Sequence, residues 1–327
     1  MSKTLLEFLS LEEASSSRIR DELAVLISQI AEATKRIAAV VGRAGLTEIR
    51  GATGSVNVQD EEVKHLDQFA HDVFLEVMMD VPLVERIASE EEPELITVAG
   101  DELHRRYTIL VDPLDGSSNA DINGVVGTIF SIRRRSGGRV PKGQIIGKGA
   151  EQLAAGYAMY GPSTMFVWTG KGGVHGFTLD TESGDFMLSH EDMKMPERAK
   201  SYAINHGNRS LWFPPTAGFI NEITSPSDAP NRPCSQRWVG ALVADFHRIL
   251  LDGGIYLYPA DRARSEGKLR LLYECAPLAL IAERAGGLAT TGTERILDVR
   301  PADLHQRVPL IIGSRQEVEL AESYYQR

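Results

Sequence analysis

The chain has 327 residues, 43% apolar and 24% charged, which excludes a disordered, collagenous or coiled-coil chain and allows about two domains with cores of their own. Acidic residues outnumber basic ones, 45 to 35, for a net charge of −10, so neither nucleic acid nor an anionic membrane is an expected partner. Two cysteines, Cys234 and Cys275, make no disulfide framework or zinc site, and Met1 to Glu13 has no apolar leader, so the expected location is cytoplasmic.

Taken in chain order, Arg18 to Val41 predicts an amphipathic helix, with Ile19, Leu23, Leu26, Ile27, Ile30, Ile37 and Val41 at helical spacing and Gly42 and Gly45 closing it. Gly51 to Ser55 reads as a loop. A second helix is predicted over about Asp60 to Asp80, with Val63, Leu66, Phe69, Val73 and Val77 on its apolar face. Strands are predicted over Tyr107 to Val111, Gly127 to Ile132, Leu153 to Tyr160, Thr164 to Trp168 and Val174 to Leu179. The uncharged run from Leu153 to Gly170 is broken at Gly156, Gly161 and Pro162, so it reads as two strands and a turn, not a membrane span of about 20 residues.

The charged stretch Ser189 to Lys200, with Pro196, predicts a boundary between domains 1–195 and 196–327. Beyond it the pattern gives a strand (Tyr202 to Asn205), a Pro- and Ser-rich loop (Pro214 to Pro233) and a helix (Trp238 to Leu251). A strand (Ile255 to Tyr258), a helix (Tyr273 to Ala285) and a strand (Val308 to Ile312) complete it. Helices and strands mixed in both halves predict an α/β (α+β) layered sandwich.

Several motifs are excluded by spacing. Gly143 to Lys148 is one residue short of a P-loop, and Gly170-Lys171-Gly172 lacks the third glycine of a dinucleotide fingerprint. Asn123 stands where a calcium loop starting at Asp112 needs Glu. There is no G-x-S-x-G elbow and no H-E-x-x-H.

The chemistry concentrates in Asp112-Pro113-Leu114-Asp115-Gly116-Ser117-Ser118-Asn119, placed just past a predicted strand, where α/β sheets bind ligands. Pro113 stiffens the turn, Gly116 permits close approach, and Ser117, Ser118 and Asn119 offer donors that suit phosphate. Paired carboxylates among oxygen donors select hard cations such as Mg²⁺ or Mn²⁺, against the plainer reading of a polar turn. Upstream, Ser89-Glu90-Glu91-Glu92 is either a solvated charge run or a set of acids whose repulsion cations relieve. Asp67 falls on or beside the apolar face of the second helix, as a boundary acid or a functional one. Lys268 and Arg270 have strand spacing, and Glu274 falls at the start of a helix.

Together these segments resemble the class I fructose-1,6-bisphosphatase family, within the lithium-sensitive, Mg²⁺-dependent sugar and inositol phosphatases. Gly267 to Cys275, Val243 to Arg248, Tyr256 to Ala260 and Leu297 to Pro301 carry the resemblance, which runs from about Leu5 to Ser314. It implies a homotetramer of two-domain subunits with an α-β-α-β-α layered fold. The implied activity is hydrolysis of the carbon-1 phosphate of fructose-1,6-bisphosphate, in gluconeogenesis or the Calvin cycle.

The resemblance implies two to three Mg²⁺ per subunit, with Mn²⁺ as the alternative metal. Asp112, Asp115 and Glu274 would hold one, Glu90, Asp112 and the Leu114 carbonyl a second, and Glu61 and Glu90 would lie near a third. Asp67 and Glu91 correspond to the pair that activates water. Asp115, Gly116, Ser117 and Ser118 would hold the transferring phosphoryl group. Asn205, Arg237, Trp238, Tyr256, Leu257, Tyr258 and Lys268 would hold the sugar and its second phosphate, Arg237 reaching in from a neighbouring subunit. Asn208 and Trp238 stand where the family usually has tyrosines, so a seven-carbon bisphosphate is the alternative substrate. An inositol phosphatase is the more distant enzyme, and a sugar-phosphate sensor the non-enzyme reading. Arg20 to Ala24 lacks both threonines of the family's AMP loop, although Arg106, Tyr107 and Arg134 match other parts of it. The expectation is weak or absent AMP inhibition. Arg133 to Arg135 otherwise reads as a solvated strand end, and Cys275 as a packed helix residue without a redox role.

Overall fold

A computed structural model describes residues 3–12, 18–46, 52–56, 62–100, 105–135 and 147–326. Glu61 lies outside the described residues. Contacts divide the chain into two units, Met1–Pro141 with Leu153–Glu191, and Lys142–Gln152 with Asp192–Arg327.

The first unit opens with α1 (Leu5–Glu12), α2 (Arg18–Val41), β1 (Ala52–Val56), β2 (Glu62–Lys64) and α3 (His65–Met79). β3 (Val84–Ser89), β4 (Ile96–Thr97), β5 (Tyr107–Asp115) and β6 (Val126–Arg134) follow. Then come β7 (Gln152–Tyr160), β8 (Thr164–Thr169), β9 (Val174–Leu179) and β10 (Phe186–His190). These last eight strands form one sheet in the order β10-β9-β8-β7-β6-β5-β3-β4. β3 and β5 are parallel, with Ser89 opposite Val111, while β5 pairs antiparallel with β6. Alternate residues of β5, Tyr107, Ile109 and Val111, join Leu26, Ile27 and Ile30 of α2 and Phe74 and Met78 of α3 in one core. The apolar stripe predicted for α2 is therefore the face laid on the sheet.

The second unit contains β11 (Ser201–Ala203), α4 (Pro214–Thr224), β12 (Ser235–Gln236), α5 (Leu242–Asp252), β13 (Gly254–Tyr258) and β14 (Leu269–Arg270). It ends with α6 (Ala276–Arg284), β15 (Leu288–Thr290), β16 (Arg307–Val308), β17 (Leu310–Gly313) and α7 (Arg315–Tyr325). Its main sheet runs β12-β11-β13-β17-β15. Ile255, Leu257 and Ile311 pack with Phe219, Ile220 and Ile223 of α4 and Val318 and Ala321 of α7. α5 and α6 also contact this sheet, at β13, β15 and β17, outside that cluster. Gln152 is tied here by its side-chain amide, which donates to the carbonyls of Gly149 (2.8 Å) and Ala276 (2.9 Å).

Several elements depart from the sequence pattern. Most of the stretch read as a loop at Gly51 to Ser55 pairs as β1 with β2. α3 begins at His65 because Lys64 is extended (φ −97°, ψ 154°) and its N–H is taken by the Asp67 carboxylate at 3.1 Å. The strand expected to end at Val111 continues through Asp115. Its register with β6 shifts between Asp112 and Asp115, the Thr128 hydroxyl donates to the Pro113 carbonyl (2.8 Å), and Asp112 Oδ1 accepts from the Leu114 N–H (3.0 Å). The Thr128 hydroxyl and the Asp112 carboxylate thus stand in for ladder bonds at the proline without ending the strand.

In the second unit, Pro214 and Pro215 open α4 where a loop was expected, since proline is tolerated in a first turn whose N–H groups need no helical partner. α5 starts at Leu242, not Trp238, because Gly240 has φ +86° and the Asp245 carboxylate takes the N–H groups of Val239 and Gly240. Glu274 lies in a π-helical turn, Leu271–Cys275, that precedes α6. Lys268 stands just before the two-residue β14. Pro309 divides the strand expected at Val308 to Ile312 into β16 and β17. Of the arginines at the end of β6, Arg134 is exposed but Arg133 is buried, so the solvated reading fits only part of the run. Cys275 is fully buried, with burial raising its thiol well above the ordinary range.

Candidate active site

The parallel register of β3 and β5 places the acids of the first unit. Ser89 lies opposite Val111, so Glu90, just past the end of β3, comes beside Asp112 of β5, and the Glu90 N–H donates to the Val111 carbonyl at 3.0 Å. Glu90 (7% exposed), Asp112 (3%) and Asp115 (8%) are all buried. Leu114 is buried between the two aspartates, and Glu91 is half-buried. Gly116 follows with φ +76°, a left-handed conformation that favours glycine, and opens a 3₁₀ turn from Ser117 to Ile122. Ser117 is half-buried and Ser118 exposed. Burying carboxylates costs free energy unless opposite charge compensates. An all-oxygen set of buried acids fits a hard divalent cation.

α3 brings Asp67 to this region from another direction. Asp67 is 6% exposed, and its Oδ1 has no hydrogen-bond partner among the described residues. Burial raises its carboxyl to about 6, opposed by the Lys64 amide, the Ser117 hydroxyl and the Lys64 charge, and assisted by Asp121. Lys64 ties the helix start to the 3₁₀ turn by donating to the Ser117 carbonyl (3.1 Å) and Asp121 Oδ2 (2.6 Å). Lys64 and Asp121 escaped the sequence reading, since nothing in their spacing of 57 positions links them. Among the residues assigned to the site from the sequence, the first unit thus gathers Asp67, Glu90, Glu91, Asp112, Leu114 and Asp115 to Ser118.

In the second unit, Trp238 stacks on Tyr256 with ring centres 5.8 Å apart and planes within 11°, and it tilts against Tyr258 at 6.3 Å. Lys268 Nζ lies 5.6 Å from the centre of the Tyr258 ring. Gly267 must precede it. Its φ is +84°, and a Cβ there would come within 2.4 Å of the Pro309 nitrogen. Arg237 is exposed, and its N–H donates to the Tyr202 carbonyl at 2.8 Å. Asn205 caps the following 3₁₀ turn by accepting from the Gly207 N–H, and with Asn208, Tyr258 and Asp261 it lines a small cleft. Leu257 points its side chain into the core against α4 and α7, so only its backbone is available to a ligand. Glu274 is buried, with Oε2 accepting from the Arg270 N–H at 2.5 Å and lying 4.0 Å from its guanidinium.

The segment Arg20 to Ala24, which the resemblance sets against an AMP loop, carries an internal pairing at Glu22. Glu22 is buried and accepts from the Tyr107 hydroxyl (2.6 Å) and Arg18 Nε (2.9 Å), with Arg106 at 3.9 Å. These partners hold its carboxyl below the usual range despite burial. Among the described residues, no helix is long and apolar enough to cross a membrane.

Comparison with known proteins covers almost the whole chain. The family models for the fructose-1-6-bisphosphatase N-terminal and C-terminal domains match residues 3–191 and 195–326. The class 1 fructose-1,6-bisphosphatase of Oleidesulfovibrio alaskensis is 45% identical, over 99% of this chain and 98% of its own. That of Chlorobium phaeobacteroides is 47% identical over 93% and 92%. The crystal structure of Leishmania major fructose-1,6-bisphosphatase in holo form aligns over the full length of both chains, with a TM-score of 0.91 and 35% identity. The layered α/β architecture expected from the sequence is thus that of a sugar phosphatase, and this chain belongs to the fructose-1,6-bisphosphatase family.

Proposed function

We propose that this protein is a metal-dependent phosphatase that releases the carbon-1 phosphate of fructose-1,6-bisphosphate, giving fructose-6-phosphate and inorganic phosphate. The observation that carries the reading is the set of buried acids just past β3 and along the last residues of β5, with Asp67 on the neighbouring helix, whose Oδ1 has no hydrogen-bond partner among the described residues. Phosphate monoesters hydrolyse extremely slowly alone, and this arrangement supplies what the reaction lacks.

Glu90, Asp112, Asp115 and the Leu114 carbonyl are the ligands we assign to Mg²⁺ or Mn²⁺, two to three per subunit. Glu274 and Glu61 keep the ligand roles that the resemblance implies. When bound, such cations acidify water and neutralise charge on the phosphoryl and leaving oxygens. Asp67 Oδ1 accepts a proton from the attacking water, and Glu91 orients that water. The backbone after Gly116, with Ser117 and Ser118, holds the phosphoryl oxygens. As the water oxygen bonds to phosphorus, the bond from phosphorus to the sugar oxygen breaks, and that oxygen takes a proton from solvent water.

Lys268, Arg237 and Asn205 hold the second phosphate and the sugar, against the wall made by Trp238, Tyr256 and Tyr258. Arg237 serves a neighbouring subunit in a cytoplasmic tetramer. Residues 1–195 act as the metal-binding and regulatory domain, and 196–327 as the sugar-phosphate domain. Trp has an N–H but no hydroxyl. A seven-carbon bisphosphate is therefore the second reading, favoured by Trp238 and Asn208. Phosphate release from fructose-1,6-bisphosphate, sedoheptulose-1,7-bisphosphate and inositol-1-phosphate, with and without Mg²⁺, tests the choice. Mg²⁺-dependent release from the first is expected. Release from inositol-1-phosphate alone would contradict the reading, and binding without turnover would make the protein a sensor.

A further inference from the structure

α3 carries a second buried polar residue one turn beyond Asp67. His71 is 3% exposed, and both ring nitrogens have partners. Nδ1 lies 3.0 Å from the hydroxyl of Ser89, which is fully buried, and Nε2 lies 3.2 Å from Glu92 Oε1. A carboxylate only accepts, so Nε2 carries the hydrogen, and in the neutral ring Nδ1 accepts from the Ser89 O–H. The Ser89 oxygen in turn lies 3.4 Å from the Glu91 N–H, which donates to it, and the Glu92 N–H donates to the Ser89 carbonyl at 3.3 Å.

The bonds form one directed chain, from the Glu91 amide through Ser89 to His71 and on to Glu92. It spans both ends of the turn that carries Glu90 and Glu91. Residues four apart share a helix face, so the helix that presents Asp67 also grips this turn. No part of the sequence reading assigned His71, Ser89 or Glu92 a separate role. The i, i+4 spacing from Asp67 is the signal that points to His71.

We propose that His71 is a positioning residue for the hydrolysis. Its imidazole clamps the Ser89–Glu92 turn, fixing the Glu90 carboxylate for metal and the Glu91 carboxylate relative to Asp67. The inference rests on the phosphatase reading above and deepens it. Partners that orient ligands change metal affinity or activity by about 10- to 100-fold when removed. A clamp of this kind acts on metal affinity and kcat, and leaves the sugar-binding residues of the second unit untouched.

The test uses the full-length protein freed of metal. Mn²⁺ binding is followed by electron paramagnetic resonance without substrate, and phosphate release from fructose-1,6-bisphosphate is measured at saturating Mn²⁺. His71→Ala is expected to weaken Mn²⁺ binding and lower kcat, each by about 10-fold or more, with KM nearly unchanged. His71→Asn, whose amide reaches Ser89 from the Nδ1 position, is expected to recover most of both. Glu92→Ala, at a half-exposed position that folding tolerates, is expected to give a smaller loss of the same kind.

Wild-type Mn²⁺ affinity and kcat in both His71→Ala and Glu92→Ala would overturn the proposal. So would a rise in KM alone, or an equal loss in the Asn and Ala variants, which would mean that the ring acts only by its bulk. If His71→Ala fails to fold, His71→Asn and Glu92→Ala decide. A wild-type protein that binds Mn²⁺ but releases no phosphate would instead fault the phosphatase reading, while the Mn²⁺ comparison still judges the clamp.

Discussion

The strand ends of the first unit and the aromatic patch of the second handle charge in opposite ways. Glu90, Asp112 and Asp115 are nearly withdrawn from solvent, set by the register of β3 on β5 and by the hydrogen bonds of the Glu90 amide to Val111 and of the Leu114 amide to Asp112. Arg237 is exposed and Lys268 half-exposed, and the aromatic rings of Trp238, Tyr256 and Tyr258 supply the rigidity around them. Buried acids suit a permanent positive partner such as a cation. Exposed bases beside a stacked aromatic wall suit an anion that comes and goes with each turnover. On the proposed mechanism the first region would govern kcat, and the second KM and the choice of sugar.

The largest expected effect breaks the first side of the comparison. Asp67→Asn should lower kcat by about 10²- to 10⁴-fold with little change in KM, as removal of a general base does. A variant with full activity would remove Asp67 from the mechanism. The same change gives a stability test on metal-free protein. The folded-state value of about 6 lies above the ordinary 3.8, so Asp67 contributes stability below about 3.8 that is lost as pH rises through about 6. Urea unfolding should find metal-free Asp67→Asn more stable than wild type at pH 7.5, by a margin of order 1–3 kcal/mol. The margin should shrink as pH falls through that window.

Next in size is Gly267→Ala, which sharpens the second side. The positive φ and the 2.4 Å approach to the Pro309 nitrogen predict a loss of about 1–3 kcal/mol in stability, together with a raised KM as Lys268 shifts. Thermal unfolding and steady-state kinetics read the two separately. Trp238→Ala should raise KM by about 2- to 10-fold at constant kcat, the worth of one aromatic contact. Trp238→Tyr should shift the ratio of kcat/KM values toward the six-carbon bisphosphate, and an unchanged ratio would remove Trp238 from substrate selection. The smallest effect is none at all: micromolar AMP should leave the rate unchanged. Glu22 already engages Arg18, Arg106 and the Tyr107 hydroxyl, and half-inhibition at low micromolar AMP would contradict this.

How far the sequence could be read follows from how local each signal is. The Asp112 to Ser118 segment was legible because its Pro, Gly and paired acids sit within a few residues. That β5 runs through it was not, because the Thr128 contact that replaces a ladder bond comes from another strand. α4 was masked by the Ser- and Pro-rich stretch that follows it, although Pro214 and Pro215 are acceptable helix starters and Phe219, Ile220 and Ile223 form its buried face. Asp67 stood out as an acid near an apolar face. Its neighbours Lys64 and Asp121 did not, since only folding brings a residue of the helix start to the 3₁₀ turn. The resemblance marks Trp238 and Tyr256 as ligand residues, but their mutual packing is a tertiary fact.

The most direct test of the central claim is to count Mn²⁺ bound per chain in metal-free wild type and Asp112→Asn, measuring phosphate release from fructose-1,6-bisphosphate on the same samples. The account predicts that wild type binds two to three ions and hydrolyses the substrate, while Asp112→Asn loses at least one ion and its activity together. Equal Mn²⁺ binding in the two proteins, or undiminished hydrolysis by Asp112→Asn, would contradict it.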